Sequence, residues 1–284
     1  MRTPRRTSRA ILAASTLTVA GLTLAACGGG DAGSGDDESA GSDGHITIGA
    51  SPTPHAEILE FVQENLAADA GLELEIVTYD DYVLPNTALS EGDLDANYFQ
   101  HLPYFEEQVA SQGFDFDHFE GVHIEPFAVY SETLTDIADL PQGAQIGIPN
   151  DPSNQGRALD LLAQAGVITL SADDAATAGI ADVDENELGL EFIEADAASL
   201  VRTLQDVDAA VINGNFALEG GLNPAEDSLV IEDGEGNPYA NFVAVRSEDI
   251  DDPDLVALDE LLHSDEVRAF IEETWPAGEI IPAF

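Results

Sequence analysis

From His45 onward the chain alternates short apolar runs with segments whose apolar positions recur at helical spacing. His45 to Ala50 reads as a short buried strand, Ser51-Pro52-Thr53-Pro54 turns the chain, and Ile58, Leu59, Val62 and Leu66 line one face of a helix. Leu72 to Val77 alternates as a second strand, followed by a helical segment from Asn86 to Glu91 and a strand from Leu94 to Tyr98. The same order restarts with a strand at Gln145 to Pro149, a loop at Asn150 to Asn154 and a helix from Arg157 to Ala165. Strands at Leu190 to Ile193 and Ala209 to Ile212 follow, with a helix from Ser199 to Gln205 between them. Two further strands, Glu125 to Tyr130 and Tyr239 to Val245, bracket this second unit, and helices at Pro253 to Leu262 and Ser264 to Thr274 close the chain. Repeated β-α-β order predicts parallel sheets whose strand ends open onto a cleft. The expected architecture is α/β with two lobes, two crossover strands and an interlobe cleft. Lobe 1 is residues 45–125 plus 243–284, and lobe 2 is residues 126–242.

The first 27 residues follow a different pattern. Arg2, Arg5, Arg6 and Arg9 precede an apolar stretch from Ala10 to Leu22, which ends in Leu24-Ala25-Ala26-Cys27. This is a signal segment, too short for a membrane span of about 20 residues. Its ending resembles the bacterial lipobox, in which the cysteine is lipidated and becomes the first residue. Cys27 has no disulfide partner, because the chain contains one cysteine. Residues 28–44 are Gly, Ser, Asp and their like, which bury too little apolar surface to order, and read as a flexible tether. The expected location is extracytoplasmic, anchored to the membrane through Cys27.

Charge narrows the partners. The formal charge is −48; loss of four signal arginines with no acid takes it to −52. Lys is absent. Such a field repels nucleic acid and anionic lipid. It suits a surface adapted to high salt, or equally a soluble acidic exported protein.

Against that background Arg157 stands out, one of four basic residues left after cleavage. At a helix start it combines backbone N–H groups with a guanidinium able to recognise a carboxylate, although pairing with one of many acids is the plainer alternative. A zwitterion such as an amino acid meets no net repulsion here. Asn97-Tyr98-Phe99-Gln100-His101-Leu102-Pro103-Tyr104 gathers aromatics that could wall an apolar side chain and contact a thioether sulfur. Asn213-Gly214-Asn215 ends a strand and Asn237-Pro238-Tyr239-Ala240-Asn241 begins one, offering amides to a ligand.

Five fragments fall in a shared order: Asp81-Tyr82-Val83-Leu84-Pro85-Asn86, the stretch from Asn97 to Tyr104, Ile148-Pro149-Asn150-Asp151 with Arg157-Ala158-Leu159, Val211 to Ala217, and Asn237 to Asn241. In this the chain resembles the NlpA/MetQ-type lipoproteins, methionine-binding proteins of ABC importers, from Ile46 to the C-terminus. The resemblance implies a periplasmic-binding-protein fold that closes over methionine and delivers it to a permease driven by an ATPase, with no cofactor and no catalysis. By the same resemblance Arg157 holds the ligand carboxylate, Asn213 and Asn241 bind its amino-acid end, and Tyr82, Phe99, His101 and Tyr104 wall the thioether. Asn215 and Tyr239 are neighbouring candidates for the polar roles. One position departs: Leu102 stands where family members commonly carry Lys.

Two rivals come from other classes. His45, His55, His101, His118, His123 and His263 with many carboxylates could supply a Zn or Mn site for a metal importer, but no HExxH or local cluster is present. An exported hydrolase lacks a G-x-S-x-G motif, and its carboxylates are too numerous to single out a pair.

Overall fold

Isoleucines at 46 and 48 alternate into the core of the first strand, and that strand seeds one of two sheets. The computed structural model describes residues 44–172, 175–234 and 236–284. The signal segment, Cys27 and residues 28–43 of the tether lie outside the described residues.

The first run of elements is β1 (His45–Ala50), α1 (Glu57–Asn65), α2 (Ala67–Ala70), β2 (Glu73–Thr78), α3 (Leu84–Glu91), β3 (Ala96–His101), α4 (Leu102–Gln112), β4 (Phe116–His118) and β5 (His123–Ile124). The chain then crosses to β6 (Ala128–Tyr130), β7 (Gln145–Pro149), α5 (Pro152–Gln164), β8 (Glu191–Ala195), α6 (Leu200–Thr203), β9 (Ala209–Ile212), α7 (Gly214–Glu219) and β10 (Ser228–Ile231). It returns through β11 (Ala240–Arg246), α8 (Pro253–Leu262), α9 (Asp265–Thr274) and β12 (Ile281–Pro282).

Strand pairing follows this route. One sheet runs β12-β5-β11-β3-β1-β2, with β4 also on β11; the other runs β10-β6-β9-β7-β8. β1 is parallel to both β2 and β3, and β7 to both β8 and β9, as the β-α-β order requires. Around the first sheet Ile46, Ile48, Ile58, Leu59, Val62, Val267 and Ile271 form one core; Ile146, Ile148, Leu159 and Leu162 anchor a second on the other sheet. The chain passes between the sheets twice, from β5 to β6 and from β10 to β11. Among the described residues no helix is long and apolar enough to cross a membrane.

Several element boundaries differ from expectation where capping decides them. The loop expected at Asn150 to Asn154 is partly helix, because α5 begins at Pro152. Asp151 caps it by accepting the Asn154 N–H at 2.8 Å, and Pro152 starts it with φ already helical. Arg157 therefore lies in the second turn and does not open the helix. The expected helix from Ser199 to Gln205 is a single α turn, α6, flanked by tighter turns. The third strand runs on to His101 and not only to Tyr98.

Candidate ligand-binding site

His101 at the end of β3 and Asn213 just after β9, one from each sheet, line a common cavity. This is where open α/β sheets form their crevices. The cavity there is small, about 20 Å³ in volume, with space for roughly one water molecule. Its walls are Tyr82, Phe99, Gln100, His101, Tyr104, Glu125, Asn154, Arg157, Asn213, Gly214 and Asn241. All seven residues expected to bind ligand are among them, brought together although Tyr82 and Asn241 lie 159 positions apart in the chain.

One end is aromatic. Tyr82 packs against Phe99 at 5.9 Å and Tyr104 at 5.8 Å between ring centres, and against Phe216 at 4.8 Å. The Tyr104 hydroxyl donates to the Tyr82 carbonyl at 2.9 Å, and the Tyr82 hydroxyl donates to Asn215 Oδ1 at 2.5 Å. Burial, with neighbouring carboxylates, pushes both phenols above their usual range, so they stay neutral. Hydrogen bonds of the Tyr82 and Tyr104 hydroxyls tie this aromatic end in place.

The other end is polar. Arg157 is buried, and its guanidinium lies 4.0 Å from the Tyr239 ring centre and 4.8 Å from that of Phe127. Its Nε donates to Glu232 Oε1 at 2.8 Å, and Nη2 donates to Glu232 Oε2 at 2.6 Å and to the Glu125 carbonyl at 3.0 Å. Burial works to lower the Arg157 pKa, but the Glu232 charge and hydrogen bond outweigh it and hold the cation. The plainer expectation of an acid partner and the ligand-facing one thus coexist: Glu232 fixes one edge of the guanidinium, and Nη1 makes no hydrogen bond among the described residues.

Beside it Asn154 Oδ1 accepts from Asn213 Nδ2 at 2.9 Å and lies 3.2 Å from His101 Nε2. His101 Nδ1 accepts the Tyr104 N–H at 3.3 Å, so Nε2 carries the ring proton and donates to Asn154. Burial first, and then the Arg157 charge, push His101 down to about 3, so it is neutral at ordinary pH. One relay thereby links β3 with α5 and the end of β9. Asn213 Oδ1 is buried without a protein partner, a free acceptor in the cavity wall.

Glu125, Gln100, Asn154 and Gly214 complete the wall and escaped the sequence reading. Asn154 carried a signal: an Asp-Pro helix start at 151–152 puts Asn154 and Arg157 three apart on one helical face. Glu125 carried none, since only the fold brings it to the cavity. A side chain at 214 would put its Cβ 2.8 Å from the Glu125 Cβ, so glycine permits α7 to pack there. Burial raises the Glu125 pKa, opposed by His55, the Asn215 N–H and Arg157. His55, His123 and Glu125 bring their side-chain atoms within 4.8 Å of one another, the metal-ligand-like group found among the described residues. A hydrogen bond from His123 Nε2 to Glu125 Oε1 at 3.0 Å, with His55 Nε2 at 3.2 Å from the same oxygen and hydrogen-bonded to Asn241, accounts for that geometry.

Two sheets joined by two crossings, with a cavity that pairs a charged amide-rich end with an aromatic end, define a two-lobed solute-binding protein. The NlpA lipoprotein family matches residues 46–284, and the chain belongs to that family. The methionine-binding lipoprotein MetQ of Bacillus subtilis is 37% identical over 276 residues, covering 95% of this chain and 97% of the relative. The D-methionine-binding lipoprotein MetQ of Escherichia coli is 36% identical over 250 residues, covering 87% and 91%. A nutrient-binding protein from Burkholderia cenocepacia, solved bound to methionine, is 42% identical with a TM-score of 0.81, covering 84% of this chain and 100% of its own.

Proposed function

We propose that this chain is the lipid-anchored, extracytoplasmic substrate-binding protein of an ABC importer, capturing methionine between its lobes and presenting it to the permease. Its work is binding and release, without catalysis and without a cofactor. The observation that carries this reading is the two-ended cavity. Arg157 Nη1 and the amides of Asn213 and Asn241 suit the charged amino-acid end. Tyr82, Phe99, His101 and Tyr104 suit an unbranched thioether, whose polarisable sulfur is favoured at ring edges. The methionine-bound relative and the MetQ relatives support the same choice.

The domain plan under this reading is a signal through Cys27, a tether over residues 28–44, lobe 1 over 45–125 plus 243–284, and lobe 2 over 126–242. A lipid anchor with a tether of roughly 20–25 Å reach keeps the binder at high effective concentration near its permease. Mass spectrometry of small molecules released by denaturing the purified protein tests the reading. Methionine, of either hand, is the expected species; a different solute released in stoichiometric amount would overturn it.

A further inference from the structure

Behind the cavity wall lies a buried chain of hydrogen-bonding groups that the ligand reading leaves unused. Glu125 Oε1 sits 3.0 Å from His123 Nε2 and 3.2 Å from His55 Nε2, and Oε2 accepts the Asn215 N–H at 2.8 Å. His55 Nε2 also lies 3.1 Å from Asn241 Oδ1. On its far side the His123 ring meets the Tyr98 hydroxyl through Nδ1 in a close hydrogen bond. Tyr98, His123 and His55 are fully buried, and none of the three lines the cavity.

With the shared proton placed between Glu125 Oε1 and His123, this chain has two self-consistent states. In the first, Tyr98 O–H donates to His123 Nδ1, His123 Nε2–H donates to Glu125, and the carboxylate is ionised. In the second, Glu125 carries a proton and donates it to His123 Nε2, His123 Nδ1–H donates to the Tyr98 oxygen, and the phenol hydrogen has no acceptor. Burial holds the Tyr98 phenol well above its usual range, so it keeps that hydrogen in both. An unplaced buried donor is costly, so Tyr98 tips the chain toward the first state. In that state Oε1 accepts the His123 N–H, with His55 Nε2 beside it at 3.2 Å, while Oε2 accepts the Asn215 N–H and keeps a second lone pair for the ligand.

We propose that Tyr98 and His123 are positioning residues for ligand capture: Tyr98 fixes the His123 tautomer that donates to Glu125, which keeps that carboxylate ionised to receive the ligand's ammonium group. The inference rests on the methionine reading above. The titratable groups facing Glu125 are His55 from the segment before α1, His123 from β5, Tyr98 from β3, Tyr82 before α3, Arg157 with its partner Glu232, and Glu219 from α7. Burial pushes His55 down to about 4 and His123 down to about 3, so both are neutral donors over the mildly acidic range. Glu219, pushed up to about 7 by burial and by Asp80 and Glu125, is the group whose own titration must be separated.

The test is methionine affinity against pH by calorimetry, with folding followed by circular dichroism at each pH, in the full-length chain and in Tyr98→Phe, each also carrying Glu219→Gln. Affinity should fall on acidification as Glu125 protonates. Tyr98→Phe keeps the ring's edge contacts to His55 and His123 at 4.8 and 5.3 Å. It should move the midpoint of that fall upward by roughly half a unit to one unit, as expected for one hydrogen bond. Adding His123→Gln, whose amide N–H donates whatever its partner, should bring the midpoint back. An unmoved midpoint, or a uniform loss of affinity at every pH, would overturn the inference while leaving methionine binding intact. Should Tyr98→Phe fail to fold, His123→Gln alone decides: its midpoint should stay at or below that of the unaltered chain, and a rise overturns the tautomer role. If the unaltered chain does not bind methionine at all, the ligand reading falls and this inference with it.

Discussion

Replacing Arg157 with alanine removes more than a ligand contact, and the structure separates the parts. The guanidinium makes two hydrogen bonds to Glu232, at 2.8 and 2.6 Å, and one to the Glu125 carbonyl at 3.0 Å. Glu232 would keep donors from the Phe127 N–H at 3.0 Å and Asn237 Nδ2 at 3.1 Å, but no opposite charge. Breaking one side of a buried pair costs about 3–5 kcal/mol of stability. On the binding side, one charge-assisted hydrogen bond from Nη1 is worth about 1.5–3 kcal/mol. An uncompensated Glu232 facing the ligand carboxylate extends the loss to about 2–5 kcal/mol, or on the order of 30- to 5,000-fold in affinity. The double variant Arg157→Ala/Glu232→Gln distinguishes the two contributions. It removes the stranded charge, so thermal stability should recover in part while methionine affinity stays at least roughly 10-fold below that of the unaltered chain. Calorimetric titration with methionine, alongside thermal melts, reads both. Affinity restored to its original value in the double variant would refute the assignment of Arg157 to the carboxylate.

Phe99→Ala should weaken methionine by about 1–3 kcal/mol, roughly 5- to 150-fold, while alanine, which does not reach the aromatic end, changes by less than about threefold. Competition titrations of the two amino acids check this, and equal losses would remove Phe99 from the side-chain pocket. Stability should also fall on acidification. His55, His101 and His123 are neutral in the fold, with pKa values lowered by burial from 6.5 to about 4, 3 and 3. Below about pH 6.5 the unfolded chain therefore binds protons that the native one refuses, and stability drops as pH falls toward about 4. Glu125, whose folded pKa is raised by burial, softens the drop by taking a proton more readily in the native state. Urea titrations at pH 7 and pH 5 measure it; equal midpoints would mean that these histidines are not buried neutral.

The fold was legible where periodicity and burial agree. The strands at 145–149 and 209–212 are almost wholly buried and largely apolar, the pattern of parallel strands covered by helices, while 45–50 was legible from its alternating Ile46 and Ile48. Short elements paired only by tertiary context left no such mark: β5 is two residues and β12 is two, each defined by its neighbour in the sheet. The start of α5 was legible in principle, since Asp151 and Pro152 are cap chemistry, but apolar periodicity begins only later in the helix and drew the boundary to Arg157. At the site, residues in motifs of unusual composition were found and isolated acids were not. Among so many acidic residues, nothing local distinguishes Glu125 or Glu232 from any solvated carboxylate. Their roles arise from three-dimensional convergence on Arg157, His55 and His123.

That convergence also sets the charge of the pocket. Arg157 is matched by Glu232, the three nearby histidines are neutral, and Glu125, ionised under the inference above, adds a negative charge beside the cavity. An anion entering such a site meets Glu125 without compensation, inside a protein whose overall charge is −48. Under the proposed reading a zwitterion reverses the balance, because its ammonium group would meet Glu125 while its carboxylate meets Arg157. The amino group is then a requirement for binding. The methionine analogue that lacks it, 4-(methylthio)butanoate, keeps every contact at the aromatic end but strands Glu125 next to a carboxylate-bearing ligand. Sites built around a buried polar partner reject ligands lacking that group strongly, so affinity at neutral pH should fall by roughly 100-fold or more. Acidification should narrow the gap between the two ligands, as protonation of Glu125 removes both the ammonium's attraction and the analogue's repulsion. A gap that stays constant as Glu125 titrates would place the ammonium elsewhere in the cavity, with the unpartnered Asn213 Oδ1 as the acceptor to examine.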